Sequence, residues 1–281
     1  MHKNNLHNNL YDLNALCTTY PLLKEYVFIN KYKIQTLDFS NPKAVKILNT
    51  ALLQHHYAIQ YWNFPNENLC PPIPSRADYI HYLSDLISSK NKKITVLDIG
   101  TGATCIYPLL GQALFKWEFI GTDIDNNSIK NATQIVAKNQ LQKEIKFRLQ
   151  PNKNNILNGV VQANDFFDVS MCNPPFYKTE LEAVQANTKK NKNLKLSSTS
   201  RNFSGNANEL WYKGGEKAFL HNYIYESSLY KKQFHWFTSL VSKKELLKDL
   251  KRSLKKLGAT TIKVVEMNQG SKISRFIAWK Y

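Results

Sequence analysis

From Lys92 to the end of the chain, short apolar runs alternate with amphipathic helical stretches. This alternation constrains the fold more than any other feature. Runs of strand length occupy 94–99, 118–122, 145–149, 166–172, 234–241, 260–266 and 275–281. Helical patterns fill 106–116, 126–139, 215–232 and 242–257, the last with Leu246, Leu247, Leu250, Leu254 and Leu257 on one side and Gly258 as its stop. Such an order requires mainly parallel strand pairing with helices over both faces of the sheet. The spacing predicts an α/β fold: a doubly wound sheet of seven strands, the last two forming a hairpin. Residues 1–75 read as a separate, small and mainly helical module, with helices near 9–16, 21–28 and 41–58 and a second domain over 76–281. The stretch Cys70-Pro71-Pro72-Ile73-Pro74 is expected to be an extended connector, because a residue before proline avoids helical geometry. A helix over 77–89 follows it.

Two turns in this pattern carry chemistry. The first is Val96-Leu97-Asp98-Ile99-Gly100-Thr101-Gly102-Ala103-Thr104, where a strand gives way to a helix. In doubly wound folds a nucleotide-like ligand sits at the carboxyl end of the first strand, and glycines there let backbone approach it closely. Asp98, Gly100, Thr101 and Gly102 are therefore candidate cofactor residues. The next strand ends in Gly121-Thr122-Asp123, and Asp123 is placed to accept hydrogen bonds from ribose hydroxyls. The glycine pattern is GxG, without the third glycine of a dinucleotide site and without the GxxxxGK[ST] of a P-loop. An adenosine cofactor lacking phosphates fits best, which points to S-adenosylmethionine.

The second turn is Asn173-Pro174-Pro175-Phe176, directly after the apolar run that ends at Cys172. Two prolines stiffen the turn and donate no hydrogen bonds. The Asn173 side-chain oxygen and the Pro174 carbonyl then form a rigid pair of acceptors, and Phe176 supplies a stacking face. A planar group bearing an amine is the natural occupant, such as the 6-amino group of adenine. That nitrogen is a poor nucleophile while its lone pair is delocalised. Acceptors for both of its hydrogens favour a pyramidal nitrogen, and positioning beside a methyl donor supplies much of the acceleration. A base inside folded RNA has to be unstacked to reach such a pocket.

The formal net charge is +17, unevenly spread. Residues 173–281 hold 21 basic and 8 acidic side chains, whereas residues 76–135 hold 6 of each. The positive field thus begins at the Asn-Pro-Pro-Phe turn, which predicts a polyanionic partner. The long polar stretch 178–213 is read as a substrate loop. Lys178, Lys189, Lys190, Lys192, Lys195, Arg201, Trp211 and Lys213 in it suit phosphate contacts and base stacking on single-stranded RNA, with Lys178, Arg201, Trp211 and Lys213 the chosen contacts. His2, Lys3, His7 and Tyr11 are further possible contacts, and Lys243 to Lys256 line the polar side of a helix. The four cysteines are widely separated, which argues against disulfides or a metal site. No apolar run reaches 18 residues and the start is polar, so a cytoplasmic protein with no membrane segment is expected.

The residues also carry a resemblance. The chain is similar to the ribosomal large-subunit RNA methyltransferase F family and to methyltransferase-like relatives in eukaryotes that modify small nuclear RNA. The matching segments are His7 with Tyr11-Asp12, then 70–81 (CPPIPSRADYIH) and 98–109 (DIGTGATCIYPL). The match continues through Asn173-Pro174-Pro175-Phe176, Glu209-Leu210-Trp211, Gly214-Gly215-Glu216 and 269–276 (QGSKISRF). The resemblance implies a Rossmann-like class I methyltransferase acting as a monomer without metal. It implies methyl transfer from S-adenosylmethionine to the 6-amino group of adenine 1618 of 23S rRNA, on the free RNA or on a large-subunit assembly intermediate. It further implies that Arg76 reaches the cofactor carboxylate, that Gly100 and Gly102 line the cofactor, and that Asp123 holds its ribose. A bidentate arginine suits that carboxylate on chemical grounds as well. Relatives often have a glycine-rich stretch before Glu209; residues 202–208 (NFSGNAN) hold a single glycine. Two rival readings stay open. A glutamine-N5 protein methyltransferase would use the same turn, usually with Tyr at position 176. A non-catalytic RNA-binding assembly factor would need neither cofactor nor catalytic turn.

Overall fold

A computed structural model describes residues 1–87, 93–179, 181–182, 211–269 and 272–281. The N-terminal part starts with α1 (Leu13–Thr19), whose first turn is capped by the Asp12 carboxylate accepting from the Ala15 amide at 3.0 Å. A 3-10 turn over Pro21–Tyr26 leads into a small antiparallel hairpin, β1 (Val27–Ile29) and β2 (Gln35–Leu37). α2 (Pro42–Tyr57) follows, with Asn41 as its cap and Pro42 in the first turn, where a missing N–H is harmless. Leu13, Leu16, Leu23, Leu37, Leu48 and Leu52 form a local apolar cluster, while Leu53 and Tyr57 of α2 join the main core. The helix expected over 21–28 is thus a 3-10 turn up to Tyr26 that passes into strand at Val27. The β-branched Val27 and Ile29 favour extended backbone, and the Asn30 side chain builds the hairpin loop by accepting from Tyr32 and Ile34 amides.

α3 (Ile73–Ile87) begins inside the stretch expected to be extended. Its second residue is Pro74, which needs no donor in a first turn, and the Arg76 amide reaches the Pro72 carbonyl at 3.3 Å. Beyond α3 the alternation is as predicted: β3 (Thr95–Ile99), α4 (Ile106–Phe115), β4 (Glu118–Asp123), α5 (Asn126–Lys138), β5 (Ile145–Leu149) and β6 (Phe167–Cys172). Then come α6 (Gly215–Leu229), β7 (Phe234–Leu240), α7 (Leu246–Lys256), β8 (Thr261–Gln269) and β9 (Lys272–Lys280). The seven-stranded sheet has the order β5-β4-β3-β6-β7-β9-β8, parallel except at β9 and β8. Alternate residues of each strand serve opposite layers. Val96, Val169 and Met171 pack with Tyr79, Ile80, Leu109 and Ile135 of α3, α4 and α5. Leu97, Cys172 and Phe237 pack with Leu220, Tyr223, Leu250 and Leu254 of α6 and α7. Every residue of β6 is buried, as a central parallel strand covered on both faces requires. Among the described residues no helix is long and apolar enough to cross a membrane.

The first residues are not a solvent-facing arm. His2 and His7 are 5% and 4% exposed, which removes them as RNA contacts. The His2 amide donates to Asp78 at 2.7 Å and Asn5 donates to the same carboxylate at 3.0 Å, tying the segment to α3. The His7 ring meets the Tyr57 hydroxyl at 2.8 Å. Burial pushes the His7 imidazole down to about 4, and the neighbouring His56 and His81 add to this. An unfolded histidine titrates near 6.5, so protons bind the unfolded chain preferentially between these values. The contribution of His7 is therefore complete above pH ~6.5 and is lost as pH falls toward 4, at most about 3 kcal/mol. Urea unfolding of the wild type should lose more stability between pH 7 and 4.5 than that of His7→Gln. Equal losses would show that His7 is not the titrating group.

Candidate active site

Sheet register brings three strand ends to one level. Ile99 of β3 pairs with Thr122 of β4 on one side and with Cys172 of β6 on the other. One residue further on, Gly100 and Asn173 leave the sheet level with Asp123, the last residue of β4. Gly100 and Gly102 have φ of +74° and +64°, values that L side chains resist. This path lets the Gly100 and Thr101 amides both donate to the Thr122 carbonyl at 2.9 Å. A Cβ built on Gly100 would meet nothing within 4 Å, so this backbone faces open space in the cleft. The Asp123 carboxylate accepts from the Gly102 and Asp125 amides, each at 2.9 Å, which fixes its orientation beside that space. Burial raises its pKa, against the pull of these two amides.

Arg76 enters the same cleft from α3. Its guanidinium donates to the Tyr107 hydroxyl at 3.1 Å and lies 5.5 Å from the centre of that ring. The nearby acids of α3, Asp78 and Asp85, are engaged by His2 and Asn5. Asp98 does not line the cleft. It lies 1% exposed beneath the glycine turn, with neither carboxylate oxygen hydrogen-bonded. Burial pushes its carboxyl up to about 7; the nearby Thr101 hydroxyl opposes this, Asp123 adds to it, and Arg76 opposes it.

The opposite wall is Asn173-Pro174-Pro175-Phe176 with Trp211, Tyr212 and Phe219. Phe176 is 43% exposed at the mouth, where a flat ring can slide against it. The chain returns alongside this turn: Tyr177 bridges Trp211, and the Tyr212 amide donates to the Tyr177 carbonyl at 3.0 Å. The Trp211 indole N–H is buried and has no partner. Gly215 presses on Lys178, where a Cβ would come within 2.8 Å of its side chain. Glu216 has a clear part in the fold: its buried carboxylate accepts from the Ser242 amide at 2.6 Å and from the Ser242 hydroxyl. It thereby pins the start of α6 to the end of β7. Lys178 and Lys213 are exposed outside the cleft, and Arg201 falls outside the described residues, as do Lys189, Lys190, Lys192 and Lys195.

The sequence reading missed Tyr107, Gln150, Lys153, Asn155 and Ile156, which complete the cleft. Gln150 could have been found, since it is the first residue after β5 and so lies on the same carboxyl edge. Among the described residues no group of His, Cys, Asp and Glu could hold a metal ion. The cleft does suit a nucleoside with an amino-acid tail. It offers an open backbone turn, an oriented carboxylate and a guanidinium held at one edge.

A family described as RNA methyltransferase matches the chain over residues 1–281. The chain belongs to this RNA methyltransferase family. Two relatives named ribosomal RNA large subunit methyltransferase F illustrate the similarity. The one from Colwellia psychrerythraea is 47% identical, covering 100% of this chain and 99% of its own length. The one from Desulfotalea psychrophila is 49% identical, with 100% and 94% covered. Among solved structures, the N-terminal domain of human METTL16 in complex with SAH superposes with a TM-score of 0.80 at 31% identity, covering 100% of this chain and 98% of that one. The hMettl16 catalytic domain in complex with the MAT2A 3'UTR hairpin 1 gives 0.85 at 33% identity, covering 100% and 95%. The chain is a Rossmann-like class I methyltransferase that uses S-adenosylmethionine. Arg76→Met removes the one guanidinium that the described residues place in the cleft wall while keeping an apolar stem. It should weaken S-adenosylhomocysteine binding 10- to 100-fold in calorimetry, or about 1.4–2.7 kcal/mol, with little change in melting temperature. An unchanged affinity would remove Arg76 from the cofactor site.

Proposed function

We propose that this rRNA methyltransferase modifies the exocyclic 6-amino group of a single adenine in 23S rRNA, adenine 1618 in the numbering of the family it resembles. The observation that carries the reading is the rigid acceptor pair at the end of β6. Among the described residues, no hydrogen bond occupies the Asn173 side chain or the Pro174 carbonyl, and both line the cleft beside Phe176. An adenine amine has two hydrogens for these two acceptors and a ring for the Phe176 face. The relatives' ribosomal names and the 21 basic against 8 acidic side chains after residue 172 both favour RNA over a protein glutamine as substrate.

When bound, S-adenosylmethionine supplies an electrophilic methyl group on a sulfonium. Arg76 would hold its carboxylate, the Gly100-Thr101-Gly102 turn its backbone side, and Asp123 its ribose hydroxyls. Asn173 and Pro174 orient the amine and draw its hydrogens into the acceptor plane. That leaves the nitrogen lone pair free on the side of the methyl donor. No side chain has to act as base, because the amine proton becomes acidic once the nitrogen has been alkylated. Phe176, Trp211 and Tyr212 exclude water from the base and hold its plane. Lys178, Lys213 and Arg201 are assigned to phosphates flanking the extruded base. The reaction would take place in the cytoplasm, on free rRNA or a precursor of the large subunit.

The test is methyl transfer from labelled cofactor to rRNA that lacks the modification, followed by nucleoside analysis and mapping. N6-methyladenosine at one adenine is the expected product. Label in protein, or at a ring nitrogen, would overturn the reading. Asn173→Ala should lower turnover by at least 1,000-fold, equivalent to about 4 kcal/mol in the barrier, while S-adenosylhomocysteine still binds. Retained turnover would sink the role given to Asn173.

A further inference from the structure

A buried carboxylate outside the catalytic turn holds up one wall of the cofactor cleft. Glu226 lies on α6 and is 5% exposed. Its oxygens accept from three consecutive backbone amides: Ile156 at 3.0 and 3.1 Å, Leu157 at 2.7 Å and Asn158 at 2.8 Å. Successive amides converging on one anion form a nest, and such charge-assisted bonds are strong and directional. The loop that they belong to follows β5 and supplies Gln150, Lys153, Asn155 and Ile156 to the cleft. No helix or strand runs through this segment; apart from backbone bonds such as Gln150 to Asp123 and Asn155 to Asn152, its shape rests on side chains that reach it.

One helical turn earlier, Asn222 reinforces the same contact and extends it. Its amide nitrogen donates to the Asn154 carbonyl at 2.7 Å, and lies 3.3 Å from Glu226 and 3.3 Å from the Tyr212 hydroxyl. Tyr212 is in turn hydrogen-bonded through its backbone to Tyr177, immediately after Phe176. Its ring meets Phe219 of α6 edge-on at 5.3 Å. The route from the cofactor wall to the substrate wall thus runs through two side chains of one helix, with a measured contact at each step.

We infer that Glu226 and Asn222 are positioning residues: Glu226 sets the cofactor-side loop, and Asn222 ties that loop to the aromatic wall that receives the base. This rests on the methyltransferase reading of the cleft. Neither residue touches the reacting atoms. Glu226 acts through Asn155 and Ile156, and Asn222 acts through Tyr212. Glu226→Gln replaces an acceptor oxygen with an amino group facing the amide nest, so the loop has to move. Asn222→Ala removes the tie and leaves the nest in place.

The experiment measures S-adenosylhomocysteine affinity by calorimetry, with and without an rRNA fragment containing the target adenine, beside steady-state kinetics. For Glu226→Gln, the dissociation constant and the cofactor KM should rise at least tenfold, while kcat at saturating cofactor stays within threefold. The fragment should tighten S-adenosylhomocysteine binding at least fivefold in the wild type and by less than twofold in Asn222→Ala. A Glu226→Gln protein with unchanged cofactor KM, or with kcat and active fraction lowered together alongside a lower melting temperature, would reduce Glu226 to a purely structural role. Should that protein not fold, Asn222→Ala decides alone, and wild-type coupling in it would refute the link. Wild-type protein that binds no S-adenosylhomocysteine would instead defeat the cofactor reading itself.

Discussion

The site depends on a reversal of chain direction within the sheet. From β3 the chain moves outward through β4 to β5, then crosses back to place β6 on the other side of β3. The segments leaving β3 and β6 therefore diverge, and a crevice opens between them at the carboxyl edge. Register then decides what faces the crevice. Because Ile99 is level with both Thr122 and Cys172, the glycine turn, Asp123 and Asn173 emerge at the same height. A slip of one residue in β6 would turn Asn173 to the other face of the sheet. Burial of β6 on both faces guards against such a slip less well than a one-sided apolar alternation would. Specific polar contacts add to it: the Thr238 hydroxyl donates to the Ser170 carbonyl at 2.7 Å, and the Ser170 and Tyr223 hydroxyls meet at 2.6 Å.

Much of this was legible in the sequence, for identifiable reasons. Parallel strands buried on both faces leave apolar runs such as Val96-Leu97-Asp98-Ile99 and Phe166-Phe167-Asp168-Val169, which are hard to mistake. The GxG turn and the Pro-Pro turn announce themselves because their residue types are demanded by backbone geometry. The misreadings share a different cause. The hairpin around Asn30 has strands of three residues, too short for a period to show. The start of α3 was masked by Pro74, whose effect depends on whether it falls in a first turn or an interior one. His2, His7 and Glu226 are polar residues made tolerable inside by partners 50 or more positions away. Nothing local distinguishes them from surface residues.

Asp98 shows how pattern and role can separate. Its place at the end of β3 suggested direct contact with a cofactor. The structure instead buries it below the glycine turn, with no hydrogen bond to either oxygen. An uncompensated buried carboxylate is costly, and its rise to about 7 expresses that cost. Such a group responds to any charge brought above it. A cation in the cleft stabilises its ionised form, and a neutral ligand does not.

That asymmetry fits the chemistry of the cofactor pair. S-adenosylmethionine carries a positive sulfonium and S-adenosylhomocysteine does not. The glycine-turn side of the crevice is lined by Asp123, with Asp98 buried beneath it, within a segment of balanced charge, whereas the segment beyond β6 is strongly basic. On the proposed function, a cationic cofactor would be drawn to one side of the crevice and a polyanionic RNA to the other, and the two would meet at the Asn173 turn. Transfer of the methyl group would then remove the cation from the acidic side, and the electrostatic hold of Asp123 on the spent cofactor would weaken. Among the described residues, Arg76 and Lys153 are the basic side chains that line the cleft. Lysines around the sulfonium would oppose its binding, while lysines outside the mouth would be free to meet phosphates without that cost.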